Sequence, residues 1–225
     1  VLRYGENPHQ QSAIYSKNNS LDIFQLSGKK LSYNNYNDIY AALNISKTLP
    51  KNTGTVIVKH ANPCGVSVNK NKTESYKEAL SCDPISAFGG IVSCNFKVNK
   101  KIALELSKIF LEVIIALGFD KVSIKILKKK KNLRLIDASK LKGDNLSNIT
   151  SNFNSLLLQN ADNKIFSKDN FKVVSKIKPS KKIFNDLLFA FNVCRNVKSN
   201  AIVLTKNSST IGIGSGQPSR LDSCK

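Results

Sequence analysis

The sequence contains no methionine and no tryptophan, and it has only 15 acidic residues against 35 lysines and arginines. It also lacks a long apolar run: the longest, Val113 to Phe119, falls far short of the roughly 20 residues of a membrane-spanning helix. The first residues do not form the basic and then apolar segments of a secretion signal. We therefore expect neither a membrane protein nor a secreted one. Because methionine is absent, we expect an internal segment of a longer protein.

Cysteine is also scarce. The five cysteines are widely spaced, and no Cys-x-x-Cys pair occurs. This pattern favours reduced thiols in a cytoplasmic protein over a disulfide framework. Zinc-dependent nucleobase deaminases carry a His-x-Glu and a Pro-Cys-x-x-Cys motif, whereas here Pro63-Cys64 is followed by Ser67 and no His-x-Glu exists. We therefore expect no catalytic metal.

The formal net charge of +20 suggests a nucleic-acid partner, because lysine and arginine neutralise phosphates. Only four of the basic residues are arginines, however, and the lysines are dispersed along the chain without interleaved aromatic residues. We expect a solvated basic surface that attracts small anionic substrates, and no nucleic-acid partner. A basic RNA-binding protein remains an alternative, and it predicts tight, strongly salt-dependent RNA binding.

Hydrophobic residues make up 41% of the chain and charged residues 22%, a composition typical of globular proteins. Their spacing predicts alternating strands and helices, and therefore an α/β fold in which helices cover a sheet. The predicted strands cover residues 55–59, 91–94, 112–116, 133–136, 156–159, 201–204 and 210–213. The predicted helices cover residues 38–49, 75–80 (Ser75 and Glu78 in capping-box spacing), 101–110 and 120–130, and Ile183, Leu187, Leu188 and Phe191 form one further helical face.

The segment KHANPCG, from Lys59 to Gly65, follows a predicted buried strand, and its residues 61–65 are predicted to form a turn. In open α/β sheets, ligands bind beyond the carboxyl ends of strands. His60 in that position can accept a proton near neutral pH, and Lys59 can stabilise a developing negative charge. On these residues alone, an exposed lysine beside a structural histidine is the simpler interpretation.

Three other segments have the composition of ligand-binding turns. In RYGENPHQ, Arg3 and Tyr4 can hold a phosphate. In DPISAFGGI, Gly89 and Gly90 permit a close approach of the backbone to a ligand. In GIGSGQPSR, which follows KSNAIVL, backbone amides can line an anion site, although the glycines do not match a dinucleotide fingerprint. Taken singly, each segment is also compatible with an ordinary polar turn.

Taken together, RYGENPHQ, KHANPCG, DPISAFGGI and KSNAIVL with GIGSGQPSR resemble, in the same order, the motifs of the AICAR transformylase domain of bifunctional purine biosynthesis enzymes. The resemblance runs along the whole chain. It implies a homodimer built from cytidine-deaminase-like three-layer α/β/α units. The first unit would be complete over residues 1–145, a connection would cover residues 146–179, and a truncated second unit would cover residues 180–225.

The resemblance also implies an activity. The family's transformylase domain transfers a formyl group from 10-formyltetrahydrofolate, a co-substrate, to the 5-amino group of AICAR ribonucleotide, and it requires no metal. The family's bifunctional enzymes carry IMP cyclohydrolase activity in an upstream domain that this sequence lacks. We expect the 225-residue segment to have little activity by itself. A deaminase-like module that binds the nucleotide without catalysis remains the alternative.

The resemblance implies roles for eight residues. His60 matches the family's catalytic base, and Lys59 matches the neighbouring lysine that assists proton transfer. The residues that match substrate-binding positions are Arg3, Tyr4, Gly89, Glu112, Asn200 and Arg220. One departure lies at Leu117, where the family usually has proline, so the backbone there regains an N–H and a free φ angle.

Overall fold

The structure of the protein, a computed structural model, describes residues 1–16, 20–142 and 147–225. The strands in these ranges are β1 (Phe24–Ser27), β2 (Gly54–Lys59), β3 (Asn62–Val68), β4 (Ile91–Cys94), β5 (Val113–Ala116), β6 (Arg134–Asp137), β7 (Asn148–Asn152), β8 (Ser155–Gln159), β9 (Ile202–Lys206) and β10 (Ser209–Gly214). The helices are α1 (Tyr33–Thr48), α2 (Lys72–Cys82), α3 (Pro84–Ala87), α4 (Lys100–Leu106), α5 (Lys121–Leu127), α6 (Lys181–Cys194) and α7 (Arg220–Cys224), with a 3-10 turn at Lys168–Asn170.

Eight of these strands form one mixed sheet, in the order β1-β6-β5-β4-β2-β3-β10-β9. β4, β5 and β6 pair in parallel, since helices connect them across the sheet, and the other neighbours pair antiparallel. The central strands are continuous runs of β-branched and small residues, buried along their length, as strands covered on both faces require. The predicted α/β class is confirmed.

Helices pack on both faces of the sheet. Tyr76 of α2, Leu106 of α4 and Leu127 of α5 belong to the apolar core on one face. Ile39 of α1 and Val193 of α6 belong to the core on the other face. The result is a three-layer arrangement of helices, sheet and helices.

The narrower deaminase-like classification and the division into three segments stay predictions. The predicted boundary at residue 145, and part of the predicted polar connection, fall on residues 143–146, which lie outside the described residues. The hairpin β9–β10 extends the same sheet as the strands of the first predicted unit, because Ser209 of β10 pairs with Ser67 of β3. A two-residue turn, Asn207 and Ser208, joins these two strands.

The predicted turn over residues 61–65 is wrong, because β3 already begins at Asn62. The residues Asn, Pro and Gly are typical of turns, but a bulge accommodates them here. Ile57 pairs with Gly65 and Val58 pairs with Pro63, so Cys64 has no partner residue in β2. The real turn is two residues long, His60 and Ala61.

Several predicted helix boundaries are also wrong. The helix predicted over residues 38–49 begins at Tyr33, and the helix predicted to reach residue 130 ends at Leu127. The helix predicted to begin with a capping box at Ser75 starts at Lys72, because Asn71 accepts a hydrogen bond from the Thr73 N–H and caps it. Ser75 is buried instead and donates to the Ser67 carbonyl. The helix predicted to reach residue 110 ends at Leu106. The helix predicted over residues 120–130 forms as α5, with Asp120 as its cap.

The strands β7 and β8 form a separate two-stranded sheet. Every residue of the two strands is exposed, including Leu156, Leu157 and Leu158. The predicted strand over residues 156–159 is confirmed. Its partner strand was missed, because residues 148–152 contain a single apolar residue, Ile149, and so show no period of two.

Candidate active site

His60 lies in the two-residue turn between β2 and β3, at the exposed edge of an otherwise buried strand. Both turn residues have left-handed backbone conformations, with φ of 53° at His60 and 58° at Ala61. Such turns favour Asn-Gly, so a His-Ala pair needs support from outside the turn. A carboxylate of α1 supplies it: Asp38 Oδ1 accepts a 2.6 Å hydrogen bond from the Ala61 N–H.

Lys59 joins the histidine turn to the glycine pair of a second motif. Its Nζ donates a 2.8 Å hydrogen bond to the carbonyl oxygen of Phe88. The next residue, Gly89, has a left-handed φ of 74°, and its N–H donates to the Phe110 carbonyl. Gly90 leaves room for the backbone oxygen of Val58, which a Cβ atom would meet at 3.0 Å. Glycine at these positions therefore brings the turn close to the end of β2.

Glu112 lies beside the same turn, at the start of β5. Its N–H donates to the Gly90 carbonyl at 3.0 Å. Its Oε2 accepts a 3.0 Å hydrogen bond from Asn35 Nδ2 and lies 3.6 Å from an Arg134 guanidinium nitrogen. Hydrogen bonds through Phe88 and Gly90 thus connect three separate parts of the chain, which carry Lys59 with His60, Gly89, and Glu112.

An open cleft of about 420 Å³ adjoins this cluster. We call it the His60 cleft, and its lining residues are Lys59, His60, Asn62, Pro63, Cys64, Cys82, Asp83, Ser86, Ile213 and Ser215. The last two come from the end of β10, so the cleft has walls from distant parts of the chain. An imidazole, an ammonium group, the Asp83 carboxylate and hydroxyl groups meet there, which suits a polar ligand.

A thiol in the cleft is protonated at neutral pH. Burial raises the pKa of Cys64 to about 12. Because the thiolate is the nucleophilic form, Cys64 is a packing residue rather than a nucleophile. All five cysteines are unpaired in the structure.

Arg3 and Tyr4 lie in the N-terminal arm, which contacts the start of α1. The guanidinium of Arg3 lies 5.4 Å from the centre of the Tyr4 ring. Two residues later, the Glu6 carbonyl accepts a hydrogen bond from Asn34 Nδ2. Asn35 next to it binds Glu112, so the arm lies near the cluster through α1 rather than by direct contact with His60.

Asn200 belongs to a loop that reaches the turn of His60 from the other side. In this loop, the Lys198 N–H donates to Asn62 Oδ1 at 3.3 Å. Asn200 Nδ2 donates to the carbonyls of Gln217 and Pro218, both at 3.1 Å. Arg220 is exposed at the first position of α7, and no contact within the described ranges links it to the cluster.

Two residues of the site were missed by sequence reasoning. Asp38 and Asn35 lie one helical turn apart on α1, and they bind the His60 turn and Glu112, respectively. Burial raises the pKa of Asp38, while its hydrogen bond from Ala61 and the nearby His60 oppose that rise. Neither residue lies in a motif, and helical spacing alone does not reveal what a polar side chain will contact.

The predicted departure at Leu117 lies on the surface. Its side chain is exposed, and its N–H donates a long, 3.3 Å hydrogen bond to the Phe96 carbonyl. A proline here would lose that hydrogen bond. Compared with proline, leucine at this position therefore adds one backbone hydrogen bond just after the end of β5.

A second groove, of about 500 Å³, runs along the outer face of α6. It contains the predicted helical face of Ile183, Leu187 and Phe191, which is exposed, whereas Phe189 and Val193 pack against the sheet. The wall of this groove contains the ammonium groups of Lys172 and Lys178 but no carboxylate, imidazole or thiol. We therefore assign the chemistry to the His60 cleft.

The AICARFT/IMPCHase bienzyme model matches residues 1–225, the whole chain. The chain belongs to the AICARFT/IMPCHase bienzyme family. Among its relatives are proteins named bifunctional purine biosynthesis protein PurH. Those of Prochlorococcus marinus (strain MIT 9515) and Rhodospirillum rubrum are both 44% identical and matched by 100% of this chain. That of Persephonella marina is 45% identical and matched by 99% of it.

The chain spans less than half the length of these AICARFT/IMPCHase relatives, 46%, 44% and 44% of them, respectively. Across residues 1–16, 20–142 and 147–225, no helix is long and apolar enough to cross a bilayer. Within the same ranges, no three His, Cys, Asp or Glu side chains are grouped closely enough to hold a metal ion.

Proposed function

We propose that this chain carries the first part of an AICAR transformylase site within a bifunctional purine biosynthesis protein. The reaction would transfer a formyl group from 10-formyltetrahydrofolate to the 5-amino group of AICAR ribonucleotide. The observation that carries the proposal is the convergence of Lys59, His60, Gly89 and Glu112 beside one polar cleft. The family membership and the names of the relatives support it.

In the proposed reaction, the amine nitrogen attacks the formyl carbon and a tetrahedral intermediate forms. His60 accepts the proton that the amine loses. The bond between the formyl carbon and N10 of the folate then breaks, and N10 gains a proton. The ammonium of Lys59 stabilises the negative charge that develops on the formyl oxygen. Each step uses only the two substrates and side chains of the cleft.

The remaining site residues would bind the nucleotide. The Gly89 backbone and the Glu112 carboxylate lie next to each other in the cluster, because the Glu112 N–H donates to the carbonyl of Gly90. Arg3 and Tyr4 on the N-terminal arm suit a phosphate, and Asn200 lies in the loop on the opposite side. We include Arg220 and homodimer formation in the proposal on the family resemblance alone.

The test is a formyl-transfer assay on the full-length gene product that contains these 225 residues, with wild type and His60→Ala in parallel. We expect His60→Ala to lose most of the turnover and to keep the dissociation constant for AICAR ribonucleotide within several-fold. Nucleotide binding without transfer by the wild type would favour the non-catalytic module. Tight, salt-dependent binding of RNA instead of the nucleotide would favour the RNA-binding alternative.

A further inference from the structure

The helix and hairpin that carry His60 have a second copy in the chain. α1 begins after the cap Ser32 and α6 after the cap Ser180, and in both helices an Asn-Asp pair ends six residues after the cap, at Asp38 and Asp186. Each helix is followed by an antiparallel pair of strands, β2–β3 and β9–β10, joined by a two-residue turn.

The two turns match each other in conformation. His60 and Ala61 have φ of 53° and 58°, and Asn207 and Ser208 have φ of 54° and 57°. A lysine precedes the turn in both hairpins. Residues other than glycine in this region cost roughly 1–2 kcal/mol each. Both turns therefore need contacts that keep them in this geometry.

The aspartates supply the same contact in the two copies. Asp38 Oδ1 accepts a hydrogen bond from the Ala61 N–H at 2.6 Å. Asp186 accepts hydrogen bonds from the Asn207 N–H at 3.0 Å and the Ser208 N–H at 2.7 Å. In each copy, a carboxylate on the helix thus accepts a hydrogen bond from the N–H of the second turn residue, Ala61 or Ser208.

The copies differ in what the turn presents. The turn held by Asp38 carries His60 into the cleft, whereas the turn held by Asp186 carries Asn207 and Ser208, which lie beside the other end of β3 and outside that cleft. Asp38 therefore fixes a turn that contains a proposed catalytic residue, whereas Asp186 fixes a turn that contains none.

We propose that Asp38 is a positioning residue that fixes the His60 turn for the formyl transfer, and that Asp186 is its purely structural counterpart. The proposal rests on the proposed function of His60. The Asp38 side chain acts through the backbone of the turn and need not touch either substrate. Asn35, one turn earlier on α1, donates a hydrogen bond to Glu112. The same helix therefore contacts both the His60 turn and Glu112.

The test compares Asp38→Ala, Asp38→Asn and Asp186→Ala in the full-length gene product. We expect both alanine variants to lower the midpoint of thermal unfolding similarly, since each removes the same kind of contact. Only Asp38→Ala should lower kcat, by about 100-fold, because small displacements of a catalytic group are costly; its KM for AICAR ribonucleotide should change less than threefold. Asp38→Asn keeps an oxygen that can accept the Ala61 N–H and should recover most of the turnover.

Equal losses of kcat in Asp38→Ala and Asp186→Ala would overturn the proposal, as would full turnover in Asp38→Ala.

A second readout, the NMR signal of the His60 ring, does not depend on formyl transfer. In the full-length gene product, the ring resonance of His60 is assigned by its loss from the NMR spectrum of His60→Ala, and it can then be followed in the aspartate variants. We expect Asp38→Ala to move the His60 signal, and Asp186→Ala to leave it in place; an unmoved His60 signal overturns the positioning role. If the wild type binds the nucleotide without transferring the formyl group, and the two variants still show this NMR pattern, the proposed function is refuted but the positioning role of Asp38 is not.

Discussion

The ammonium of Lys59 lies 2.8 Å from the carbonyl oxygen of Phe88, which connects the end of β2 to the turn that carries Gly89. This contact holds the cation at the edge of the His60 cleft while leaving two of its three N–H donors for a ligand. The lysine and the glycine pair come from motifs about 30 residues apart, and the hydrogen bond brings them to one site.

Replacement of Lys59 by glutamine tests the role of that charge. Glutamine can still donate to the Phe88 carbonyl, but it cannot neutralise a developing oxyanion. We expect Lys59→Gln to lower kcat for formyl transfer by about 100-fold, the usual effect of removing one such donor. The dissociation constant for AICAR ribonucleotide, measured by calorimetry, should change only several-fold. An unchanged kcat would remove Lys59 from the chemistry.

Gly65 and Gly212 provide a matched pair for testing how closely α2 packs on β3. They occupy the same place in the two hairpins, five residues after His60 and Asn207. A Cβ atom on Gly65 would lie 1.9 Å from the Ala79 carbonyl oxygen, whereas one on Gly212 would meet only Leu204 side-chain atoms, at 3.7 Å or more.

We therefore expect Gly65→Ala to lower the free energy of unfolding by about 3 kcal/mol, since helix and strand must move apart. Gly212→Ala should change it by less than about 0.5 kcal/mol. Urea unfolding followed by circular dichroism measures both. Equal effects of the two substitutions would show that the α2–β3 contact is not tight.

Thiol labelling tests the assignment of Cys64 as a packing residue. Burial raises the pKa values of Cys64 and Cys94 to about 12, and Cys224 is exposed. At pH 8 a thiol of pKa 12 is ionised to about one part in ten thousand. We expect iodoacetamide to modify Cys224 in the folded protein, and Cys64 and Cys94 only after denaturation, as read by peptide mass spectrometry. Rapid labelling of native Cys64 would contradict this.

Asp120 should make stability depend on pH. The Ser123 N–H, hydrogen-bonded to its carboxylate, lowers the pKa of Asp120 below its ordinary value. The folded state therefore favours the ionised form. The resulting stability is present above the unfolded-state pKa of about 3.9 and is lost as the pH falls through the lower folded-state value.

We expect Asp120→Ala to be less stable than wild type at pH 7, with a difference that shrinks as the pH is lowered from about 5 towards 2. Parallel urea titrations across this range measure it. Asp120→Asn keeps a capping oxygen but no charge, so its stability relative to Asp120→Ala should not vary with pH. A difference between wild type and Asp120→Ala that stays constant down to pH 2 would contradict the role of the charge.

Residues of the candidate site could be predicted where they belong to a sequence motif, but not where their place in the site depends on packing. His60, Lys59 and Gly89 stand in the segments KHANPCG and DPISAFGGI, which point to a site through their order along the chain rather than singly. Asp38 and Asn35 stand in an ordinary polar helix, and their contacts depend on how α1 lies across the sheet. The repeated Ser-to-Asp spacing in α1 and α6 was the one available signal for Asp38.

The sequence by itself determined the α/β class, the buried strands such as Ile91–Cys94, and the family, because these depend on local composition and on long contiguous motifs. The tertiary structure alone decided that Asn62 and Pro63 continue a strand, that β9–β10 extends the first sheet, and that Glu112 meets Asn35. Strand pairing and side-chain contacts join residues far apart in the chain. Their energies depend on a geometry that exists only after the sheet has formed, so local patterns do not encode them separately.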